Sequence, residues 1–333
     1  MPVTTRPRPR REGAVRIPFA AAMTVTVVGS IAFDAVKTPW GQRDRLLGGS
    51  AVHFALSASF LADVRVVGPV GDDFGEAEVD VLRARGVNVD DIERVPGGKT
   101  FFWSGEYEYD LNTRHTRDTQ LNVFANFQPK LSEASKDADV LFLANIQPDL
   151  QREVREQCEG ARIVGLDSMN LWIDTARDSL IRTIEGVELL VINDAELRQL
   201  TEKANLLQAA REVMDWGPTA VVVKQGEYGA SLYSGDRFFS LPAYPLESVL
   251  DPTGAGDSFA GGLFGYIAAH PDEGLDEELL RRAMAYGTAL ASFNVEEFGT
   301  ERVQRLTADE VRERVGALHA CTNWVDVPLE QRA

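Results

Sequence analysis

The sequence has only two cysteines, Cys158 and Cys321, far apart and in no ligand-like spacing. That argues against a disulfide framework and a thiolate zinc site, and it suits a reducing, cytoplasmic compartment. The four histidines (His53, His115, His270 and His319) form no metal-binding pattern. No apolar run reaches the ~18 residues of a membrane-spanning helix, so no membrane partner is expected. Positive charge is scarce: 34 basic residues stand against 51 acidic ones, a formal net charge of −17. A nucleic-acid partner is therefore not expected, because phosphate backbones demand a basic footprint. No Gly-x-x-x-x-Gly-Lys-Ser/Thr string occurs, which excludes a P-loop. The 333 residues, 44% hydrophobic and 26% charged, compose an ordinary globular chain long enough for one large domain or two modest ones.

Against these absences stands one dense stretch, Asp251-Pro252-Thr253-Gly254-Ala255-Gly256-Asp257-Ser258-Phe259-Ala260-Gly261-Gly262. Residues 257–270 are apolar, rich in Gly and Ala and free of Pro, which predicts a helix starting near Asp257 and packed closely on a sheet. The N–H groups of Gly254, Ala255 and Gly256 then sit at a helix N-terminus without intrahelical partners. Such an end binds anions, because free donors and the helix dipole both point at the ligand. Asp257 is set to take a proton from a hydroxyl beside that anion, and the helix end should keep its carboxylate ionised. An anion cradle beside a base is what transfer of a phosphoryl group to an alcohol needs. Alone, Gly-Ala-Gly-Asp reads equally well as a glycine-rich turn capped by aspartate.

Before residue 23 the chain carries Arg6, Arg8, Arg10, Arg11 and Arg16 among prolines, and residues 1–22 read as a disordered extension. Residues 24–31 are β-branched and suit a first strand. Residues 64–70 form a second, and 100–110 alternate with a period of two. In that segment Phe101, Trp103, Tyr107 and Tyr109 share one face, as in a half-exposed antiparallel strand. From Asp139 onward short apolar runs alternate with helical segments, implying a parallel sheet covered on both faces. Ligands gather at the carboxyl ends of such strands, which makes Asn145, Asp167 and Asn170 candidates. The string Thr119-Gln120-Leu121-Asn122-Val123-Phe124 fits no pattern.

The long 251–262 stretch resembles the C-terminal signature of the ribokinase/PfkB family of small-molecule kinases, and the resemblance runs from about Met23 to about Leu318. It implies a ribokinase-like α/β fold: a mostly parallel central sheet flanked by helices on both faces, with a small β lid. A kinase domain over 23–333, with lid segments near 32–47 and 97–125, is expected. Asp257 is then the catalytic base, and the amides of Gly254, Ala255 and Gly256 form the anion hole. Asp34, Gly48, Gly49 and Ser50 match the family's acceptor-binding positions. His53 stands where the family usually has asparagine, which alters the expected acceptor contact. Asn193 and Glu196 match an Asn-x-x-Glu motif tied to Mg²⁺ and phosphate; on its own this reads as a helix start. Lys224, Gly226, Gly229 and Thr253 border the nucleotide. Asp251 and the loop 294–299 match a monovalent-cation site, with K⁺ the candidate ion. The expected cofactors are ATP and Mg²⁺, and the acceptor is a sugar first and a nucleoside second. A silent ligand sensor is the reading from another class. Homodimer pairing through the lid is expected by analogy alone.

Overall fold

The computed structural model describes residues 22–323, so the expected extension lies outside the described residues save for Ala22. Thirteen strands are described: β1 Thr24–Val28, β2 Ala32–Thr38, β3 Gly41–Gly48, β4 Asp63–Val70, β5 Ile92–Arg94, β6 Phe101–Tyr107, β7 Arg114–Gln120, β8 Val140–Leu143, β9 Ile163–Leu166, β10 Leu189–Asn193, β11 Ala220–Lys224, β12 Ala230–Ser234 and β13 Arg237–Leu241. Nine of them form one sheet in the order β13-β12-β11-β10-β9-β8-β1-β4-β5. Strands from β11 to β5 in that order run parallel, and β12 and β13 are antiparallel. The four central strands β8 to β11 are buried almost throughout, which is why their sequences are continuous apolar runs rather than alternating ones.

Strand order reverses between β1 and β8. The chain leaves β1 towards β4 and β5, then returns on the other side through β8 to β13. A crevice opens outside the strand ends at such a switch point. Here it is floored by the start of helix Ser50–Ala58, where Ser30 and Ser50 bond each other reciprocally through backbone and hydroxyl groups.

Three helices close one face of the sheet: Ser50–Ala58, Ala255–Ala268 and Glu277–Asn294. Their contact is made close by glycine. A Cβ at Gly261 would lie 2.2 Å from the carbonyl oxygen of Phe54. Underneath, Phe54 stacks on Phe142 of β8 at 4.4 Å, and Phe264 meets Phe142 at 4.9 Å.

The remaining strands form the lid, in the order β3-β2-β6-β7. β6 is antiparallel to β7 but parallel to β2, so the expected antiparallel strand is antiparallel on one edge only. Tyr109 lies beyond β6 and is exposed, while Tyr107 is buried. β7 ends in the string that fitted no pattern, at Thr119 and Gln120. It is exposed along its length and carries Arg114, His115, Arg117 and Asp118, charges that blunt an edge strand. No helix among the described residues is long and apolar enough to cross a membrane.

The helix contact yields a signed test. Gly261→Ala should destabilise the protein by about 1–3 kcal/mol through overpacking against backbone. Gly316→Ala, exposed in helix Ala308–Thr322 with nothing within 4 Å of the new Cβ, should stabilise it by about 0.5–1 kcal/mol. Denaturant melts of both variants check this, and equal shifts of the same sign would exclude the close-contact explanation.

Candidate active site

Gly254 adopts the left-handed conformation, φ +75°, and caps helix Ala255–Ala268. The helix therefore begins two residues earlier than expected, and Asp257 is its third residue rather than its first. A side chain at Gly254 is excluded on two counts. Its backbone angle favours glycine, and a Cβ would lie 2.4 Å from three atoms of the His53 ring. No partner for the N–H groups of Gly254 and Gly256 is found among the described residues. The N–H of Ala255 donates to the Pro252 carbonyl at 3.2 Å, so one of the three expected anion-hole donors is already engaged.

A network of six side chains fixes this turn. Asp251, fully buried, accepts from Thr253 N and from Gly299 N, each at 2.9 Å. Its first role is thus to tie the turn to the loop 294–299, and each oxygen keeps a lone pair for a cation. The Thr253 hydroxyl meets Tyr107 Oη from the lid at 3.2 Å. Asn294 Nδ2 donates to Thr253 O at 2.7 Å, which makes its Oδ1 the acceptor for Ser258 Oγ at 3.2 Å and for His53 Nδ1 at 3.0 Å. His53 consequently carries its proton on Nδ1. Burial lowers its pKa to about 4, against the opposing pull of Asn294. His53 Nε2 remains a buried acceptor with no partner among the described residues. A histidine at this position thus braces the Gly254 turn, a role its sequence position did not suggest.

Three adjacent strand ends supply the next layer. Asn193 ends β10 opposite Lys224 at the end of β11, and Asp167 follows β9. Lys224 Nζ donates to Asp167 Oδ2 at 2.7 Å, and a Cβ at Gly256 would lie 3.0 Å from Lys224 Nζ. Burial opposes the lysine's charge, but Asp167 and Glu196 outweigh it and raise its pKa. Asn193 and Glu196 form a reciprocal cap on helix Asp194–Thr201, at 2.8 and 3.1 Å. The helix-start reading of the Asn-x-x-Glu motif is therefore correct, and it does not compete with function because Glu196 keeps its second oxygen.

Burial dominates the carboxylates. It pushes Asp257 to about 7, helped by the charge of Asp167 and opposed by Lys224. Glu196 rises to about 7 from burial and Asp167. Asp34 rises to about 7 from burial, then Asp251 and Asp257, opposed by a bond from Gly49 N. The expectation that the helix end keeps Asp257 ionised is thus corrected: desolvation outweighs the helix end. Asp34 lies against the Gly48–Gly49 backbone, where a Cβ at Gly48 would fall 1.9 Å from Asp34 Oδ2. Beside the turn opens a cavity of about 490 Å³ lined by Lys224, Gly226, Gly229, Tyr244, Gly256 and Ser292 among others. In its wall Gly229 has φ +102°, and a Cβ there would lie 2.1 Å from Leu241 O. No three His, Cys, Asp or Glu side chains among the described residues could cage a metal on their own. Mg²⁺ needs no such cage, because it commonly takes one or two carboxylates and completes its shell with phosphates and water, and Glu196 has an oxygen to spare for it.

The family description "pfkB family carbohydrate kinase" matches residues 25–305. The chain belongs to this family. PfkB-family members are ATP-dependent small-molecule kinases. The chain is 29% identical to a cytidine kinase of Thermococcus kodakarensis over 75% of this chain and 91% of that protein. It is 27% identical to a nucleoside kinase of Methanothermobacter thermautotrophicus over 84% and 94%. Its fold matches a ribokinase II of E. coli, solved with ATP and Mg²⁺, at a TM-score of 0.70 with 21% identity, over 89% of this chain and 99% of that one. Within the pfkB frame, Asp167 and Tyr107 are contributors that motif reading undervalued. Asp167 was visible only as a strand-end acid, and Tyr107 only as one of an aromatic row.

The titration has a stability consequence. The folded-state pKa of Asp257, about 7, lies above the unfolded value of 3.8. Its stabilising contribution is full below about pH 4 and is lost as pH rises through about 7. Asp257→Asn should therefore raise stability by about 1–3 kcal/mol at pH 8 and leave it nearly unchanged at pH 4. Thermal melts at the two pH values check the sign, and a lowered melting temperature at pH 8 would contradict it.

Proposed function

We propose that this kinase transfers the γ-phosphoryl group of ATP to a primary hydroxyl on the ribose of a nucleoside, with Asp257 as base. The observation that carries this reading is a carboxyl of pKa about 7 on the first turn of a helix whose Gly254 and Gly256 N–H groups are unengaged among the described residues. A base poised near the working pH combines the correct ionisation with useful proton affinity. Asp257 takes the hydroxyl proton. The two amides and the Lys224 ammonium hold the negative charge of the phosphoryl oxygens. Asp34 accepts hydrogen bonds from the ribose diol, and His53 Nε2 offers a further acceptor. The lid excludes water from the reacting groups. Glu196, with Asn193 beside it, is the residue that fits Mg²⁺; when bound, that ion neutralises phosphate charge.

The nucleoside acceptor is supported by the two archaeal relatives, which this chain spans almost end to end. It is supported too by Phe101 and Trp103, half-buried aromatics of the lid that suit a base. A free sugar is the second reading, favoured by the family description and by the same diol-binding Asp34.

ADP release from Mg·ATP against a mixed panel of nucleosides and sugars decides between them. Turnover on a nucleoside is expected, and turnover on sugars alone would move the assignment to the second reading. Asp257→Ala should lower kcat by ~10²-fold or more, and near-wild-type turnover would exclude Asp257 as base. kcat/KM should rise with pH through about 7 and then level, because the base acts only when ionised.

A further inference from the structure

We propose that Arg114, the first residue of lid strand β7, is a catalytic residue whose guanidinium grips the phosphoryl group passing between donor and acceptor. The inference rests on the kinase reading above and adds a residue to it.

Charge is the first reason. Asp34, Asp167, Glu196, Asp251 and Asp257 converge on the site, and Lys224, the cation seated at the turn, is already paired with Asp167 at 2.7 Å. A triphosphate adds more negative charge to this surplus. Stabilising it calls for a further positive group that need not leave another partner to act.

Register is the second reason. Arg114 lies directly across from Tyr107 in the β6–β7 pair, and the Tyr107 hydroxyl meets Thr253, the residue before Gly254, at 3.2 Å. Arg114 also reaches the Tyr107 hydroxyl and lies over the Trp103 ring at 5.5 Å. Its positive charge is felt at both Glu196 and Asp257, where it opposes the larger effects of burial and Asp167. The hairpin bearing it is anchored at the mouth of the nucleotide cavity, where Asn112 Nδ2 donates to Glu227 at 3.3 Å.

The third reason is that this cation has no carboxylate to neutralise it among the described residues. His115 is paired with Glu108 at 2.6 Å and Arg117 with Glu106 at 2.8 Å, whereas no carboxylate partner of Arg114 is found among the described residues. Of the exposed cations on the lid strands, Lys37, Arg45, His115 and Arg117 each meet a carboxylate, whereas Arg43 lies over the Phe298 ring, and only Arg114 of the unpaired two is felt at Asp257. An arginine fork matches phosphoryl oxygens in pairs, which lysine does not.

The test uses the full chain and the variants Arg114→Ala and Arg114→Lys, with Arg117→Ala as a same-strand control and melting temperature as a check on folding. Titrations with Mg·ADP and with a non-hydrolysable Mg·ATP analogue separate contacts to the last phosphoryl from the rest. Arg114→Ala should bind ADP as wild type does, bind the analogue about tenfold more weakly, and lose about a hundredfold or more in kcat. Arg114→Lys should recover only part of this, added guanidinium should restore turnover to the alanine variant, and Arg117→Ala should behave as wild type. Unchanged analogue affinity and kcat in a folded Arg114→Ala variant would overturn the inference while leaving the kinase reading intact. So would a defect confined to acceptors that carry their own phosphate. Wild-type protein that binds neither nucleotide would overturn both.

Discussion

Removing several carboxylates from water beside a helix N-terminus is the constraint on which the site depends. Isolated, each buried carboxylate would simply take up a proton. Here each oxygen of Asp251 accepts from a backbone N–H group, Asp167 holds a lysine, and Glu196 caps its own helix. Asp257 has no such complete set of partners, and Asp34 has only Gly49 N working against its burial. The groups with the most partners brace the fold around the turn, and Asp257 and Asp34 have the fewest partners holding their charge. The same incompleteness makes the functional groups costly to the fold, a trade commonly found at active sites.

The sheet explains why these groups meet at all. β1 and β8 mark the point where strand order reverses, and Asp34 and the Gly48–Ser50 turn stand on the lid side of that crevice. β10 and β11 end side by side, so register pairs Asn193 with Lys224, and the lysine side chain reaches back to Asp167, which follows β9. Helix Ala255–Ala268 brings its N-terminus over these residues only because glycine at 261 lets it ride on the backbone of helix Ser50–Ala58. A packing choice in the helix interior thus sets where the anion-binding end points.

Much of this was legible before any coordinates. Apolar runs such as Val140–Leu143 and Ala220–Lys224 announce buried parallel strands, and Gly254-Ala255-Gly256-Asp257 announces a helix start. What was not legible depended on three dimensions. β7 has no apolar period because both its faces meet solvent, so its strand character comes from pairing with β6 alone. The protonation of Asp257 could not be read from the helix end, because desolvation and Asp167, ninety residues away in sequence, outweigh it. Glu196 looked like a choice between cap and ligand, when a carboxylate with two oxygens can be both.

His53 shows how such long-range coupling works. Its ring fills the space that a side chain at Gly254 would need, and its Nδ1 proton reaches Asn294, 241 residues later. Asn294 in turn holds Thr253 O and Ser258 Oγ on the two sides of the phosphate turn. The asparagine expected at position 53 has a shorter side chain, so the same ring contact with Gly254 and the same bond to Asn294 would not both be made. Histidine, Asn294 and the left-handed glycine therefore form a matched set, in which the residue at position 53 braces the Gly254 turn. A change at position 53 made to alter acceptor choice is then also a change to the anion site. Its effect on the chemical step should not be read as substrate preference alone.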